Sequence, residues 1–245
     1  MASLLKKIVR KDLLPQLLDR YHPRLYQLKK RMFGEKDSAL CLCFHDVSDD
    51  EGLYPISTED FKDIVLGIRD RVVSIDNILN GGIVITFDDG FDSLYSTVLP
   101  FMEEQKIPFT CYITTGYLNT PKYLSTDHLQ KLASSKYCTI GSHMVTHRKT
   151  RKMTRDEVVN EWRESKQTLE SLIGKEVVHA ALPYGSYVNC TIKSKRMALK
   201  NGYETIADTI AIPFHTNSRV IHRYVYSKES NRVINAIKQN ENNNK

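Results

Sequence analysis

Segments typical of buried strands alternate along this chain with segments typical of amphipathic helices, over roughly 200 residues. Apolar and β-branched runs occur at 39–44, 71–75, 83–87, 109–114, 137–140, 177–181, 203–208 and 220–226. Strands separated by helices pair in parallel, because each helix returns the chain to the end of the sheet where the next strand starts. The pattern therefore predicts an α/β fold, namely a distorted parallel (β/α) barrel of about seven strands with a helical N-terminal extension.

The first 37 residues are predicted to form a basic helical extension that precedes a barrel domain at 38–245. Apolar residues recur there at helical spacing, with cationic residues between them. Such a helix either packs against the main domain or, through residues 1–20, contacts an anionic membrane surface, and the sequence leaves both interpretations open. The cationic residues of its first turns are Lys6, Lys7, Arg10 and Lys11.

Composition indicates a soluble globular protein, with 41% hydrophobic and 26% charged residues. The net charge of +6 fits an acidic or phosphate-bearing partner, but no motif indicates nucleic-acid binding. The five cysteines have no Cys-x-x-Cys spacing, which favours reduced thiols in a cytoplasm. Since no apolar run has the length of a signal peptide core or a membrane span, we expect a cytoplasmic protein that contacts the inner membrane face only peripherally.

Two adjacent carboxylates, Asp88 and Asp89, directly follow the apolar strand pattern at 83–87. At the end of a strand both side chains can turn toward one cleft, where their charges repel unless a cation lies beside them. A divalent metal ion is a common solution. The alternative is an acidic turn, because Asp-Asp-Gly is also favourable turn chemistry.

The other polar residues of interest also follow predicted strands. Active sites of α/β barrels lie at the carboxyl ends of their strands, so this placement indicates one functional edge. The residues and segments concerned are His45 and Asp46, His143 to His147, 183–185, Asp208 and His222.

His143 and His147 are four residues apart, a separation that allows both imidazoles to reach one ion. A lone pair of this kind is often incidental. Together with the Asp-Asp strand end, however, it indicates a site of two histidines and one carboxylate. Such a site leaves coordination positions free for water and substrate, as hydrolytic metals require.

Three segments in order resemble the motifs of the polysaccharide deacetylases, a carbohydrate esterase family. They are Thr-Phe-Asp-Asp-Gly at 86–90, His-Met-Val-Thr-His at 143–147 and Leu-Pro-Tyr-Gly at 182–185. The flanking sequence is similar as well, since His-Asp-Val at 45–47 resembles members that act on poly-N-acetylglucosamine. The helical segments at 161–166 and 172–174 also match, so the resemblance covers roughly residues 39–226.

The resemblance implies a metal-dependent hydrolase that removes the N-acetyl group from an N-acetylated sugar in polysaccharide or glycolipid precursor metabolism. Asp89, His143 and His147 would bind a divalent metal, usually Zn²⁺. Asp88 would be the general base that deprotonates the attacking water. The backbone N–H of Tyr184 would help to stabilise the oxyanion.

This sequence departs from the family pattern at several positions. Ala181 occupies the place where family members carry an arginine that orients the base, and Met144 replaces a serine or threonine. The family's last motif supplies a histidine as general acid, for which we assign His222. A second alignment of the same strand makes Arg223 the site residue instead, and His45 is the reserve candidate for the acid.

Two other functions remain open at the level of sequence. The same fold and metal could serve an amidase that acts on a small non-sugar amide, because neither dictates the substrate. The chain could also be an inactive carbohydrate-binding relative, since the family's arginine is missing. The intact Asp-Asp pair and histidine pair argue against the inactive relative.

Overall fold

A computed structural model describes residues 39–50, 55–210 and 219–226 of the chain. In these residues eight strands form one sheet in the order β7-β6-β5-β4-β3-β2-β1-β8, with every neighbouring pair parallel. The fold predicted from the sequence, a distorted parallel α/β barrel, is confirmed. The strands are β1 (Ala39–Phe44), β2 (Gly82–Phe87), β3 (Phe109–Ile113), β4 (Cys138–Ser142), β5 (His179–Ala181), β6 (Thr205–Asp208), β7 (Val220–His222) and β8 (Tyr224–Val225).

The sheet is nearly closed into a barrel by its last two strands. β7 pairs with β6 at one side of the sheet, and β8 pairs with β1 at the other. Only Arg223 separates β7 from β8, so the chain crosses from one side of the sheet to the other within a single residue. The sequence predicted one continuous strand at 220–226, and the structure divides it at the closure point.

Five α-helices accompany the strands in the described part of the chain. Serine or threonine side chains cap the N-termini of α1, α3, α4 and α5, which satisfies backbone N–H groups that the helices leave without partners. No helix among the described residues is both long and apolar enough to cross a membrane. The helices are α1 (Thr58–Ile68), α2 (Leu99–Gln105), α3 (Thr126–Ser134), α4 (Arg155–Ile173) and α5 (Ile192–Lys200).

The prediction of a strand at 71–75 is wrong. Short 3₁₀-helices occupy Arg69–Arg71 and Ile75–Asn80, and between them only Val72 forms a bridge with β2. The apolar residues of this region instead enter the barrel, where Ile75 and Ile78 are buried in one cluster with strand residues such as Ala39 and Val84. Apolar side chains that fill the end of a barrel give the same sequence pattern as a short strand.

Helix α3 lies in a region for which the sequence analysis predicted no element. Its apolar face is short, with Leu129, Leu132 and Ala133 buried. Three buried residues in nine give a weak periodic signal, although Ser125 is a regular N-cap. The predicted N-terminal extension at 1–37 lies outside the described residues, so its two interpretations stay predictions.

The two faces of the sheet bury different side chains. The outer face packs large apolar residues against the helices, including Phe61 of α1 and Trp162 of α4. The interior instead combines small residues such as Ala181 and Ala207 with larger ones such as Tyr112. It also contains one large charged group, the fully buried side chain of Arg223, whose guanidinium carbon lies 5.1 Å from the centroid of the Tyr112 ring.

Candidate metal and catalytic site

The candidate site lies at the carboxyl ends of β1, β2 and β4, as the sequence predicted for its polar residues. Hydrogen bonds continue the sheet pattern past the strand ends and hold the site residues in register. The N–H of Asp88 donates to the carbonyl of Phe44 at 3.0 Å, and the N–H of His143 donates to that of Ile113 at 2.8 Å. Both motifs therefore leave the sheet at the same edge.

Asp89, His143 and His147, the three predicted metal ligands, converge in the structure. One ligand atom from each lies within 4.8 Å of the other two. Asp89 Oδ1 is 3.5 Å from His143 Nε2 and 3.0 Å from His147 Nε2. Two imidazole nitrogens and one carboxylate oxygen at this spacing match the donor set of a catalytic divalent site with open positions.

Two observations indicate that these residues are suited to binding a cation. Asp89 Oδ1 is buried, and no described residue meets hydrogen-bond geometry with it. The Nδ1 atom of His143 lies 2.9 Å from the carbonyl oxygen of Ala181, which directs Nε2 toward Asp89. Burial lowers the pKa of His143 to about 4, although the nearby carboxylates oppose this, so the ring is neutral near pH 7 and free to act as a ligand.

The loop that carries the two histidines is held by Glu161 of α4. Its carboxylate accepts hydrogen bonds from the N–H groups of Val145 and Thr146 at 2.8 and 2.9 Å, and from the Thr146 hydroxyl. Glu161 is buried, so these bonds are shielded from water. They also compensate for a strained backbone, since His147 has a left-handed φ of 54°.

Sequence analysis did not identify Glu161 as a site residue. The signal was available, because Val158, Trp162, Ser165 and Leu169 define the buried face of α4 and Glu161 lies on the same face. A carboxylate on an apolar helix face is costly unless it is paired or hydrogen-bonded. Its position therefore indicates a specific partner.

Asp88, the predicted base, forms a two-point ion pair with Arg223. The guanidinium donates from Nη1 to Oδ1 at 2.6 Å and from Nη2 to Oδ2 at 2.7 Å. Both side chains are almost completely buried. Burial acts to raise the pKa of Asp88, but the Arg223 charge outweighs it and, with His143, holds the pKa well below the usual range.

Arg223 supplies the arginine that the third motif lacks. Ala181 leaves the interior open at the family's usual position, and Arg223 enters from the β7–β8 junction instead. Its Nη1 also donates to the Thr86 hydroxyl, and its Nε to the carbonyl of Asp208. Of the two alignments of the last strand, the structure supports the one that makes Arg223 a site residue.

His222 lies next to Arg223, and its partner in the structure is a carboxylate of the same sheet. His222 Nδ1 is 2.8 Å from Asp208 Oδ1, while the other carboxylate oxygen of Asp208 contacts Lys195 of α5. Neighbouring residues of a strand point to opposite faces, so His222 is turned away from the interior that receives Arg223. Its role as general acid stays a prediction.

His45, the reserve candidate for the acid, lies beside the base. A side-chain ligand atom of His45, one of Asp88 and one of Cys43 are within 4.8 Å of one another. This second cluster is a poor metal site, because Arg223 occupies both oxygens of Asp88 and burial raises the pKa of the Cys43 thiol. An imidazole in this position can instead exchange protons with a reacting group.

Tyr184 of the third motif lies over the metal-ligand cluster. Its ring centroid is 4.8 Å from that of His147, and its backbone adopts a left-handed φ of 62°. Among the described residues nothing accepts a hydrogen bond from its N–H. The next position, Gly185, requires glycine, because a Cβ there would lie 2.5 Å from the backbone nitrogen of Thr209.

Residues 80–206 match the family described as "Polysaccharide deacetylase". The chain belongs to this family. The family predicted from the three motifs is thereby confirmed. A curated relative, YxkH of Bacillus subtilis (strain 168), whose name refers to the same family, is 23% identical over 122 residues. The match covers 50% of this chain and 42% of YxkH, so this polysaccharide deacetylase domain corresponds to less than half the length of that relative.

Solved structures share the fold of this family member. IcaB from Ammonifex degensii superposes with a TM-score of 0.73 at 19% identity, over 84% of this chain and 98% of that one. The Streptococcus pyogenes deacetylase PplD, solved in complex with acetate, superposes with a TM-score of 0.67 at 15% identity. That match covers 78% of this chain and 93% of PplD. At these identities the likeness establishes the barrel architecture.

Removing both imidazole ligands should abolish metal binding. Protein purified without chelator should contain about one equivalent of divalent metal per chain by elemental analysis, and the His143→Ala/His147→Ala variant should contain almost none. His179→Ala is a matched control, because His179 is buried in the same sheet but bonds Asp76 and Thr205. Full metal content in the double variant would show that the ligands are wrongly assigned.

Replacing Arg223 should affect both stability and pH dependence. Arg223→Met leaves the buried Asp88 without a counter-charge, which should cost about 3–5 kcal/mol of unfolding free energy. Burial then dominates and raises the pKa of Asp88, so the acid limb of the rate profile should move to higher pH. Urea unfolding and a pH–rate profile measure the two effects, and Arg223→Lys, which keeps the charge, should show smaller changes.

An acid limb at the same pH in Arg223→Met and in the wild type would contradict the role of Arg223 in keeping Asp88 ionised. Loss of stability alone would indicate that the ion pair only closes the barrel.

Proposed function

We propose that this family member is a metal-dependent N-deacetylase that hydrolyses the N-acetyl group of an N-acetylated sugar. The observation that carries the proposal is the convergence of Asp89, His143 and His147 beside an ionised Asp88. A bound divalent ion, usually zinc in this family, would polarise the acetamide carbonyl and lower the pKa of the attacking water.

Side chains and backbone groups of this chain carry out the remaining steps. Asp88 accepts a proton from the attacking water, and Arg223 fixes the orientation of the Asp88 carboxylate. The N–H of Tyr184 has no acceptor among the described residues, so it is free to donate to the oxyanion. Because Arg223 makes Asp88 a weak base, the proton must pass on quickly to the leaving amine.

We assign His45 the relay of that proton: its imidazole gives a ring proton to the leaving amine and takes the proton held by Asp88 in return. The imidazole lies beside Asp88, with a ring nitrogen within 4.8 Å of a carboxylate oxygen of that residue. A general acid must lie within reach of the same reacting centre as the base. His222 is the second candidate, with Asp208 in the position of a residue that orients its ring.

An N-acetylated sugar is favoured as the substrate by the family to which the chain belongs. The alternative of an inactive carbohydrate-binding relative loses its main support, because Arg223 provides the arginine contact that Ala181 cannot. A small non-sugar amide remains the alternative substrate. Acetate release from N-acetylglucosamine oligomers compared with simple acetamides separates the two.

The working location that we propose is the cytoplasm, with peripheral contact at the inner membrane face through residues 1–20. The support for this proposal is the alternation of apolar and cationic residues in that segment. A substrate linked to a lipid or a nucleotide would suit this location better than a finished cell wall.

The two adjacent aspartates should behave differently when each is replaced by asparagine. Asp88→Asn should retain bound metal and lose roughly 10²-fold or more in acetate release, which is the usual effect of losing a general base. Asp89→Asn should instead lose metal, because it removes a charged ligand. Acetate release and metal content of both variants, measured on N-acetylglucosamine oligomers, test the proposal; the opposite pattern would reverse the roles.

The two candidates for the general acid can be separated by their pH profiles. If His45 is the acid, His45→Ala should lower the rate by about 10²-fold and remove the alkaline limb of the profile. His222→Ala should then leave the limb in place and mainly affect stability, since Asp208 loses one partner. Loss of the alkaline limb in His222→Ala, with His45→Ala unaffected, would restore His222 as the acid.

A further inference from the structure

Exposed apolar side chains concentrate in one short stretch beside the active site. Five large hydrophobic residues are exposed in the described chain, and four of them lie between residues 184 and 192. Val188 and Ile192 are 66% and 67% exposed, which is unusual for aliphatic side chains. A cluster of this kind on a soluble domain indicates an interaction surface. We call Tyr184, Tyr187, Val188 and Ile192 the apolar rim.

The apolar rim is displayed on a fixed turn. Arg151 donates from its guanidinium to the carbonyl of Tyr187 at 2.7 Å, and its N–H donates to the carbonyl of Asn189 at 3.0 Å. Thr191 caps the following helix, α5, so Ile192 is held at the first position of that helix. Since the turn is already ordered, little conformational entropy opposes docking of its side chains.

Cationic residues surround the apolar rim. Five of the eight residues at 148–155 are lysine or arginine. The ammonium group of Lys149 lies 4.7 Å from the centroid of the Tyr184 ring. A cavity of about 520 Å³ beside the turn is lined by Arg151 and Lys193, together with Lys195, which pairs with Asp208. None of the described residues that line it carries a carboxylate. The occupant of this surface should therefore combine negative charge with an apolar interior.

We propose that the apolar rim docks the domain onto an anionic lipid surface, with Val188 and Ile192 entering the headgroup region. Interfacial binding gains from a few buried apolar side chains and from about 1 kcal/mol per basic residue near anionic lipid. The inference goes beyond the proposed deacetylase activity and does not depend on it, because lipid binding requires no turnover.

Other occupants fit the surface less well. A sugar can stack on Tyr184 and Tyr187, but Val188 and Ile192, the most exposed residues of the rim, offer it neither hydrogen bonds nor a flat ring face. A stable protein partner would cover about 800 Å² on this chain, far more than four side chains supply. The basic segment at 1–20 of this chain would add positive charge to a surface that is already cationic.

Docking in this orientation places the active site against the membrane. Tyr184 belongs to the apolar rim and also lies 4.8 Å from the His147 ring, so the lipid surface would meet the edge of the catalytic cleft. Sugars carried on lipid would reach the site directly, whereas long soluble polymers would have to enter from the side.

Vesicle sedimentation with matched variants of the full chain tests the proposal. The wild type should bind phosphatidylglycerol vesicles at low salt and release them as salt rises, with little binding to phosphatidylcholine. Ile192→Asp should weaken binding by about tenfold, as expected when a buried isoleucine is lost. This variant should fold normally, because aspartate is favourable in the first turn of a helix.

Leu66→Asp is the control, since Leu66 is the fifth exposed hydrophobic residue, lies in α1 and undergoes the same change of charge. It should bind vesicles like the wild type. Wild-type protein that ignores anionic vesicles, or Ile192→Asp that binds as well as Leu66→Asp, would overturn the proposal. In the second case vesicle binding would be due to the contact proposed above for residues 1–20.

A tryptophan reporter locates the contact. Trp162 is the chain's single tryptophan and is buried, so the emission of Tyr187→Trp can be followed as an addition to a constant background. Phosphatidylglycerol vesicles should shift this emission to the blue, and the emission of Leu66→Trp should not change. Blue emission before vesicles are added would show that another part of the chain covers the apolar rim, which would also overturn the proposal.

Discussion

The buried ion pair between Asp88 and Arg223 is the interaction on which the site and the barrel closure both depend. Neither charge could remain in the interior alone, because an unpaired buried ion costs several kcal/mol. The pair keeps Asp88 ionised, and it fixes Arg223 at the point where β7 ends and β8 begins. One contact therefore determines both the charge of the proposed base and the position of the residue at which the sheet closes.

Around this pair the site combines a rigid sheet edge with strained connections. Asp89, His147 and Tyr184 all have left-handed backbone, which costs energy for residues other than glycine. The cost is offset by the sheet hydrogen bonds behind Asp88 and His143 and by the Glu161 carboxylate above the loop. The left-handed conformations change the direction of the backbone at these residues, so that their functional groups face one another at the sheet edge.

Much of this arrangement could be predicted from sequence, because local patterns determine it. The strand before Asp88 and the four-residue histidine spacing predicted the candidate metal ligands, and the order of the motifs predicted the family. The partner of Asp88 could not be fixed in the same way, because Arg223 is 135 positions away and a shift of one residue exchanges it with His222. Such a register depends on how the barrel closes. Helix α3 was not predicted for a different reason: its apolar face is short and gives too weak a periodic signal in the sequence.

The position of Arg223 in the sequence has a consequence for the order in which a nascent chain acquires its parts. A ribosome-bound chain that has emerged as far as β6 already contains both aspartates, both histidines of the candidate site and most of the sheet. It still lacks the cation that makes a buried Asp88 tolerable. Charge balance in the interior is thus completed by one of the last described residues to be synthesised, and competence for catalysis arrives with it.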